Sequence, residues 1–172
     1  MTMAAHQTTA EPAYRWGALL MVVAAGTVIT ALGFEHIGGY NPCPLCLQER
    51  YAYYAGIPLS FAALVAGSMG GWRIAGLLFF VVALGFLANT GLGVYHSGVE
   101  WKWWPGPETC SGALTPLAKG GLLESLSTTR VVRCDEAPWS FAGLSFAGWN
   151  AVISAALAVV ATKAGLTALA RE

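Results

Sequence analysis

Long apolar stretches constrain the fold of this chain more than any other feature of its sequence. Residues 16–34 and 74–99 contain no Asp, Glu, Lys or Arg. A helix of about 20 apolar residues is long enough to cross a bilayer. The chain is also 56% hydrophobic and only 10% charged, so the sequence predicts a protein that folds in lipid.

We predict an all-α membrane protein, a four-helix transmembrane bundle that forms a single integral membrane domain over residues 1–172. The predicted spans are about 16–34, 47–68, 74–95 and 144–162, and the predicted external loops are about 35–46 and 96–143. Residues 1–15 are predicted to be a disordered tail. Four spans would place both termini on one side of the membrane and both loops on the other.

The second external loop is the long polar segment of the chain. Within it, Thr115-Pro116 resembles a helix cap followed by proline at the first helical position. An apolar stripe could follow, formed by Leu117, Leu122, Leu123 and Leu126. We therefore predict that the loop carries a short amphipathic helix on the membrane surface.

A Cys-X-X-Cys pair, Cys43 and Cys46, stands where the second apolar stretch begins. Pro44 disfavours a helical Cys43 and suits the first helical turn, so a helix is predicted to start there. Cys46 would then lie near the positive helix end, which favours a thiolate. Arg50, four residues on, would share its face. The spacing predicts a reactive Cys46 supported by Arg50, although Arg50 could also be an interfacial anchor.

Other residues give weaker signals. His96 and Glu100 lie four residues apart at the exit of the third span, and an ionisable group at membrane depth is a functional candidate. A structural role for His96 at the interface is the competing interpretation. Trp139 and other tryptophans near predicted helix ends indicate an aromatic belt, and Tyr40 is predicted to be a surface residue.

Cys110 and Cys134 lie in the polar loop, and the even count of four cysteines is compatible with two disulfides. Such loop cysteines favour an oxidising compartment, so we place both loops outside the cytoplasm. A zinc site would need two ligands besides the Cys-X-X-Cys pair, which Cys110 and Cys134 could supply. Purely structural disulfides are a further alternative. The zero net charge gives no support for nucleic-acid binding.

Together these motifs resemble the DsbB family of disulfide bond formation proteins over nearly the whole chain. The resemblance rests on Pro42-Cys43-Pro44-Leu45-Cys46-Leu47-Gln48-Glu49-Arg50, on Tyr95-His96, on Trp104-Pro105 ahead of Cys110, and on Trp139-Ser140-Phe141-Ala142-Gly143-Leu144-Ser145 after Cys134. It implies a multi-pass protein-dithiol:quinone oxidoreductase of the bacterial inner (cytoplasmic) membrane. The termini would be cytoplasmic and the cysteine loops periplasmic.

The resemblance also implies the substrates of the enzyme and the roles of its cysteines. The protein would reoxidise a periplasmic thioredoxin-like oxidase of the DsbA type and pass the electrons to ubiquinone or menaquinone. Cys110 would form the mixed disulfide with that partner, and Cys134 would be its disulfide mate. Cys43 and Cys46 would be the pair coupled to the quinone.

In the family scheme, an inter-loop bond between Cys43 and Cys134 frees Cys46 as a thiolate that faces the quinone. Arg50 would stabilise that thiolate or the quinone, and His96 is a second candidate for the quinone site. No metal ligand is expected. The resting protein is predicted to hold the Cys43–Cys46 and Cys110–Cys134 disulfides, with Cys110 reachable from water.

Two alternatives stay open. One is another quinone-linked membrane thiol oxidoreductase related to vitamin K epoxide reductase, whose redox pair would be expected within a later helix. The other is a non-enzymatic membrane scaffold with structural disulfides. Thiol-dependent quinone reduction by the purified protein would separate the scaffold from the enzymes.

Overall fold

The computed structural model describes residues 2–110 and 133–171, with side chains from residue 12 onward. The α-helices of this part are α1 (Thr2–His36), α2 (Pro44–Ser68), α3 (Trp72–Glu100) and α4 (Phe146–Leu169). A 3-10 turn at Glu108–Cys110 and a hairpin of β1 (Ser140–Phe141) and β2 (Leu144–Ser145) complete it. The predicted surface helix of the second loop lies outside the described residues.

Three segments of the helices are long and apolar enough to cross a membrane, namely Pro12–His36, Trp72–Glu100 and Phe146–Leu169. This confirms that the chain is a helical membrane protein. The helix α2 has 25 residues but does not meet the same criterion of apolarity. It carries Glu49, Arg50 and several tyrosines in its first half, and its crossing of the membrane stays a prediction.

Several element boundaries differ from those predicted. The helix α1 begins at Thr2, so the predicted tail over residues 1–15 is wrong. Alanines recur through this segment, and alanine is the strongest helix former. The hairpin shows that the chain is not wholly helical. Its turn residues, Ala142 and Gly143, both have positive φ values, 52° and 82°, as a two-residue type I′ turn requires.

Small residues bring α3 and α4 into close contact. A Cβ atom at Gly93 would lie 3.0 Å from the backbone nitrogen of Ala151, so any larger residue would push the helices apart. Close approach through small residues is the usual way that helices associate in lipid. Large apolar side chains such as Phe61, Leu84 and Val159 are exposed on the outside of the bundle, where lipid would cover them.

The end of α3 determines where the second loop starts. The helix continues to Glu100, five residues beyond the predicted end of the span. After it the chain turns back, and Trp104 Nε1 donates to the Tyr95 carbonyl at 2.8 Å. The Trp104 ring packs on Gly98, where a Cβ atom would lie 2.1 Å from the ring. This contact directs the chain toward Cys110.

The carboxylate of Glu100 connects α3 with α4. It accepts a hydrogen bond from Ser145 Oγ. Ser145 is also the N-cap of α4, and its Oγ accepts from the Gly148 amide at 3.2 Å. Glu100, a weak candidate for the site on sequence grounds, thus forms an interhelical contact.

Candidate active site

The first turn of α2 holds Cys43 and Cys46 in the positions that the sequence predicts. The helix begins at Pro44, and Cys43 is its N-cap, in an extended conformation with φ −76° and ψ 167°. The Cys43 sulfur accepts a hydrogen bond from the Cys46 amide at 3.2 Å. Cysteine thus takes the place of the serine or aspartate that usually caps a helix.

Cys43 and Cys46 are free thiols, and we call them the inner pair. Their Sγ atoms share a hydrogen bond and lie 2.9 Å apart, whereas a disulfide requires about 2.0 Å. The predicted Cys43–Cys46 disulfide is therefore not formed in this structure, which has the inner pair reduced. A movement of less than about 1 Å would bring the sulfurs to bonding distance.

The two thiols of the inner pair differ in acidity. The hydrogen bond with the Cys46 thiol, assisted by His96, lowers the pKa of Cys43 against the opposing effect of burial. The hydrogen bond with Cys43, followed by burial, raises the pKa of Cys46. These shifts make Cys43 the more acidic thiol of the pair, whereas helix position alone predicts Cys46. The hydrogen bond between the two thiols has the largest effect on both pKa values, and the amide hydrogen bond to Cys43 adds a smaller effect in the same direction for Cys43.

A buried histidine and a buried carboxylate extend from Cys43. His96 Nε2 lies 3.5 Å from Cys43 Sγ, and His96 Nδ1 lies 2.9 Å from Glu49 Oε1. The side chain of His96 is 2% exposed and that of Glu49 is 7% exposed. Glu49 fixes the orientation of the imidazole ring, as carboxylates commonly do for functional histidines. His96 can therefore exchange a proton with Cys43.

The second cysteine pair forms the predicted disulfide, which we call the outer disulfide. It joins Cys110 to Cys134 with a Cα–Cα distance of 5.2 Å. The expectation that Cys110 is open to water is wrong, because Cys110 is 4% exposed and Cys134 is 1% exposed. Both pack in one buried cluster with Cys43, Leu45 and Val99. The tertiary structure therefore places the outer disulfide against the inner pair.

Charged side chains hold the segment around Cys134. Lys102 Nζ contacts the carboxylate of Asp135 at 2.5 Å and its backbone carbonyl at 2.7 Å. Arg133 donates to the same carboxylate at 2.8 and 2.9 Å. Arg133 first and Lys102 second hold the pKa of Asp135 well below its usual range. This exposed clamp links the end of α3 to the segment that carries Cys134.

Arg50 lies near the inner pair but has its own partner. Its Nη1 atom contacts Glu35 Oε2 at 2.5 Å, so the guanidinium joins the end of α1 to the first turns of α2. Arg50 and Cys46 both line the cavity described next. The sequence places Arg50 on the correct helix face, but the ion pair with Glu35 was not predicted.

An apolar cavity of about 590 Å³ opens beside Cys46. Its polar wall residues include Glu49, Arg50, Tyr53 and Asn150. Aromatic rings supply much of the remaining wall, namely Phe34, Tyr40, Trp139, Phe141, Phe146 and Trp149. A predominantly apolar cavity with a few polar groups is typical of a small-molecule site.

The sequence missed several residues of this site. Tyr40 and Trp139 line the cavity, although they were expected on the surface and in an aromatic belt. Glu49 was not singled out, yet a carboxylate at the start of an apolar helix, three residues after Cys46, is a usable signal. His96 contacts Cys43 and is not among the residues that line the cavity.

One group of possible metal ligands occurs among the described residues. The ligand atoms of Cys43, Cys46 and His96 all lie within 4.8 Å of one another. The four-cysteine zinc site considered from the sequence is not formed, because Cys110 and Cys134 are bonded to each other.

The comparisons with known proteins agree on one family. The family model described as "Disulfide bond formation protein DsbB" matches residues 14–164. A "Disulfide bond formation protein B" of Marinobacter nauticus is 31% identical, over 83% of this chain and 85% of the relative. A protein of the same name from Xanthomonas oryzae pv. oryzae is 30% identical, over 90% of this chain and 94% of the relative. No solved structure gives a significant match.

Proposed function

The chain belongs to the DsbB family of disulfide bond formation proteins, and on that basis we propose that it is a protein-dithiol:quinone oxidoreductase. It would reoxidise a periplasmic thioredoxin-like oxidase of the DsbA type and deliver the electrons to membrane ubiquinone or menaquinone. One observation carries this proposal. The inner pair lies between the outer disulfide, in the same buried cluster, and an apolar cavity that Cys46 lines.

The first step is thiol–disulfide exchange at the outer disulfide. A thiolate of the partner attacks Cys110 Sγ, the Cys110–Cys134 bond breaks, and its electron pair leaves with Cys134. Since Cys110 is buried, its sulfur has to become exposed before the partner can reach it. The partner's second thiol then displaces Cys110, which leaves the partner oxidised.

The electrons then move to the inner pair. The Cys134 thiolate attacks Cys43 of an oxidised inner pair, which forms Cys43–Cys134 and releases Cys46 as a thiolate at the cavity wall. When Cys110 displaces Cys43 from this bond, the outer disulfide re-forms and the inner pair becomes a dithiol.

The residues of the inner pair are suited to hold and release protons. Cys43 leaves as a thiolate because the Cys46 amide and thiol both hydrogen-bond it. His96 Nε2 is the ring nitrogen that faces Cys43, and Glu49 holds the ring in place. These groups allow the dithiol to lose its protons although Cys43 and His96 are buried.

The cavity fits a quinone. A quinone headgroup is a planar ring with two carbonyl acceptors, and the cavity provides aromatic walls and polar side chains beside Cys46. Arg50, the charged donor in that wall, would hold the headgroup. When bound, the quinone would accept the two electrons and two protons of the inner pair, which regenerates the inner disulfide.

The proposal includes a topology. With α2 as a fourth span, in one integral membrane domain, both termini are cytoplasmic and both cysteine loops are periplasmic in the bacterial inner membrane. Reporters fused after Arg73 and at the C-terminus are expected to read cytoplasmic, and one inserted within residues 118–125 periplasmic. The opposite result would contradict the assignment of the cysteine loops to the periplasm.

The decisive experiment is thiol-dependent quinone reduction by the purified protein. The protein is mixed with a reduced DsbA-type dithiol oxidase and a short-chain ubiquinone, and loss of quinone absorbance is followed. We expect turnover with the wild type and none with Cys46→Ser. Absence of turnover with any quinone and any such oxidase would contradict the proposal and favour a scaffold.

A further inference from the structure

The cavity wall contains a buried amide group whose hydrogens have no partner. Asn150, in the second turn of α4, lines the cavity beside Tyr53. Its Nδ2 atom is buried and makes no hydrogen bond in the described part of the chain. Buried polar atoms in proteins are nearly always hydrogen-bonded, and in lipid an unsatisfied donor is costly. This donor therefore requires an explanation.

The orientation of the Asn150 amide is fixed by its neighbours. Tyr53 Oη donates to Asn150 Oδ1 at 2.8 Å, and Asn89 Nδ2 lies 3.3 Å from the same oxygen. Ser154 Oγ is a third neighbour of that oxygen, also at 3.3 Å. Exchanging the oxygen and nitrogen of the amide would place the NH2 group against the Asn89 donor. The oxygen is thus committed to the bundle, and the NH2 group is left without a partner among the described residues.

Four other donors in the cavity wall are already used. Thr27 Oγ1 donates to the Val23 carbonyl, Thr30 Oγ1 to the Gly26 carbonyl and Trp149 Nε1 to the Phe141 carbonyl. The hydroxyl hydrogen of Tyr53 is committed to Asn150. A ligand acceptor at this part of the wall would therefore find its donor in Asn150.

We propose that Asn150 is a quinone-binding residue whose Nδ2 donates a hydrogen bond to a carbonyl oxygen of the headgroup. This inference rests on the proposed function and adds a specific contact to it. A quinone carbonyl accepts hydrogen bonds and donates none, which matches a free NH2 group. A donor fixed at one point of an apolar wall orients the ring and favours ligands that carry an acceptor at that point.

The first test measures quinone affinity with Asn150→Leu, which keeps the approximate size of the side chain and removes the donor. A short-chain ubiquinone is titrated into the purified protein, and quenching of tryptophan fluorescence is followed, since Trp139 and Trp149 line the cavity. We expect the Kd to rise about tenfold, as loss of one hydrogen bond from a buried group predicts.

A matched control is available in α2. Ser60 Oγ is also buried and without a hydrogen-bond partner, but Ser60 is not among the residues that line the cavity. Ser60→Ala is therefore expected to leave the Kd unchanged. A rise in Kd equal to that of Asn150→Leu would overturn the inference, because it would make the effect a general one of altering the bundle.

A spectroscopic measurement separates contact from support. Infrared spectra of the bound ubiquinone, isotopically labelled at its carbonyls, should show one carbonyl band at lower frequency than in lipid. Asn150→Leu should abolish that shift. Ser154→Ala, which loosens the same polar network but keeps the Asn150 donor, should retain it. If Ser154→Ala lost the shift of the carbonyl band and Asn150→Leu kept it, the inference would be overturned.

The outcomes distinguish this inference from the proposed function. If the wild type binds ubiquinone and Asn150→Leu binds it equally, with the same carbonyl band, Asn150 makes no contact and the enzyme proposal stands. If the wild type binds no quinone, both proposals fail. Asn150→Ala, with its smaller side chain, decides the question if Asn150→Leu does not form the Cys110–Cys134 disulfide.

Discussion

The inner pair and the outer disulfide occupy one buried cluster but are held there by different means. Cys43 and Cys46 are placed by the first turn of a single helix, with Cys43 as the cap. Cys110 and Cys134 are separated by 24 positions in sequence and meet only because the chain folds back after α3. Local structure determines the inner pair, and long-range contacts determine the outer disulfide.

This difference indicates how each pair can work. A dithiol on a helix N-terminus keeps its geometry through a redox cycle, because the backbone that places it does not depend on the bond. The outer disulfide is placed by exposed ion pairs and by the packing of Trp104 on Gly98, which are easier to rearrange. We infer that the outer pair moves to meet a partner while the inner pair stays in place.

The largest expected effect comes from removing one cysteine of each pair. Cys46→Ser should lower quinone reduction by at least about 1,000-fold, since the electron route ends at that sulfur. It should still form the mixed disulfide with the partner, which Cys110→Ser should not. Non-reducing electrophoresis with stopped-flow quinone reduction measures both steps.

The variant Cys134→Ser sharpens the same comparison. Cys134→Ser leaves Cys110 as a free thiol, which can form a mixed disulfide only by attacking the disulfide of an oxidised partner. Without Cys134 the enzyme has no second thiol to displace that partner, so the mixed disulfide at Cys110 should accumulate when the oxidised partner is added. If it accumulated only in Cys110→Ser, the roles of the two outer cysteines would be reversed.

The next effect concerns the buried His96 and Glu49. His96→Phe should slow oxidation of the inner pair by about 100-fold, because Cys43 loses its proton-exchange partner. Glu49→Gln keeps a hydrogen-bonding side chain at that position and should slow oxidation of the inner pair about tenfold. Rapid-quench trapping of the thiols of the inner pair measures the rate of its oxidation. Equal rates in the wild type, His96→Phe and Glu49→Gln would show that His96 is structural.

The acidity of Cys43 gives a pH-dependent version of this test. Because the pKa of Cys43 is lowered, its thiolate should persist below the ordinary cysteine pKa and disappear only as the pH falls through the lowered value. Thiolate absorbance of the dithiol form measures this. Cys46→Ala, which removes the largest cause, should shift the titration upward, and His96→Phe should shift it in the same direction. A titration at the ordinary cysteine pKa in the wild type would contradict the assignment.

Substitution of Arg50 should have a smaller effect, confined to electron transfer from the inner pair to the quinone. Arg50→Ala is expected to slow quinone reduction about tenfold by removing a charged donor at the cavity wall, and Arg50→Lys less, because it keeps the charge. Exchange at Cys110 should be spared in both. Equal slowing of both steps, or of neither, would make Arg50 an interfacial anchor.

The smallest effect is expected at the exposed clamp. Asp135→Asn should change the rate of exchange at Cys110 by less than about threefold, since exposed ion pairs contribute little. The depressed pKa of Asp135 means that the clamp is complete above the ordinary aspartate pKa and is lost only as the pH falls through the lowered folded-state value. A large effect at neutral pH would show that the clamp itself controls access to the outer disulfide.

The sequence by itself determined the helical membrane character, the start of α2 at Pro44 and the placement of Cys43 and Cys46 at its first turn. These follow from local rules, because apolar run length, proline at a helix start and Cys-X-X-Cys spacing act within a few turns of chain. The difference in acidity between the two thiols follows mainly from the hydrogen bond between their sulfurs and from burial, which the spacing of the cysteines alone does not specify.

Only the tertiary structure decided which distant groups meet. It brought His96 from α3 to Cys43, Glu35 from α1 to Arg50, and Asn150 from α4 to Tyr53. Each contact joins residues on separate helices, and its geometry depends on how those helices pack and rotate against one another. The apolar cavity arises in the same way, since its wall is assembled from α1, α2, α4 and the segments leading into α2 and α4.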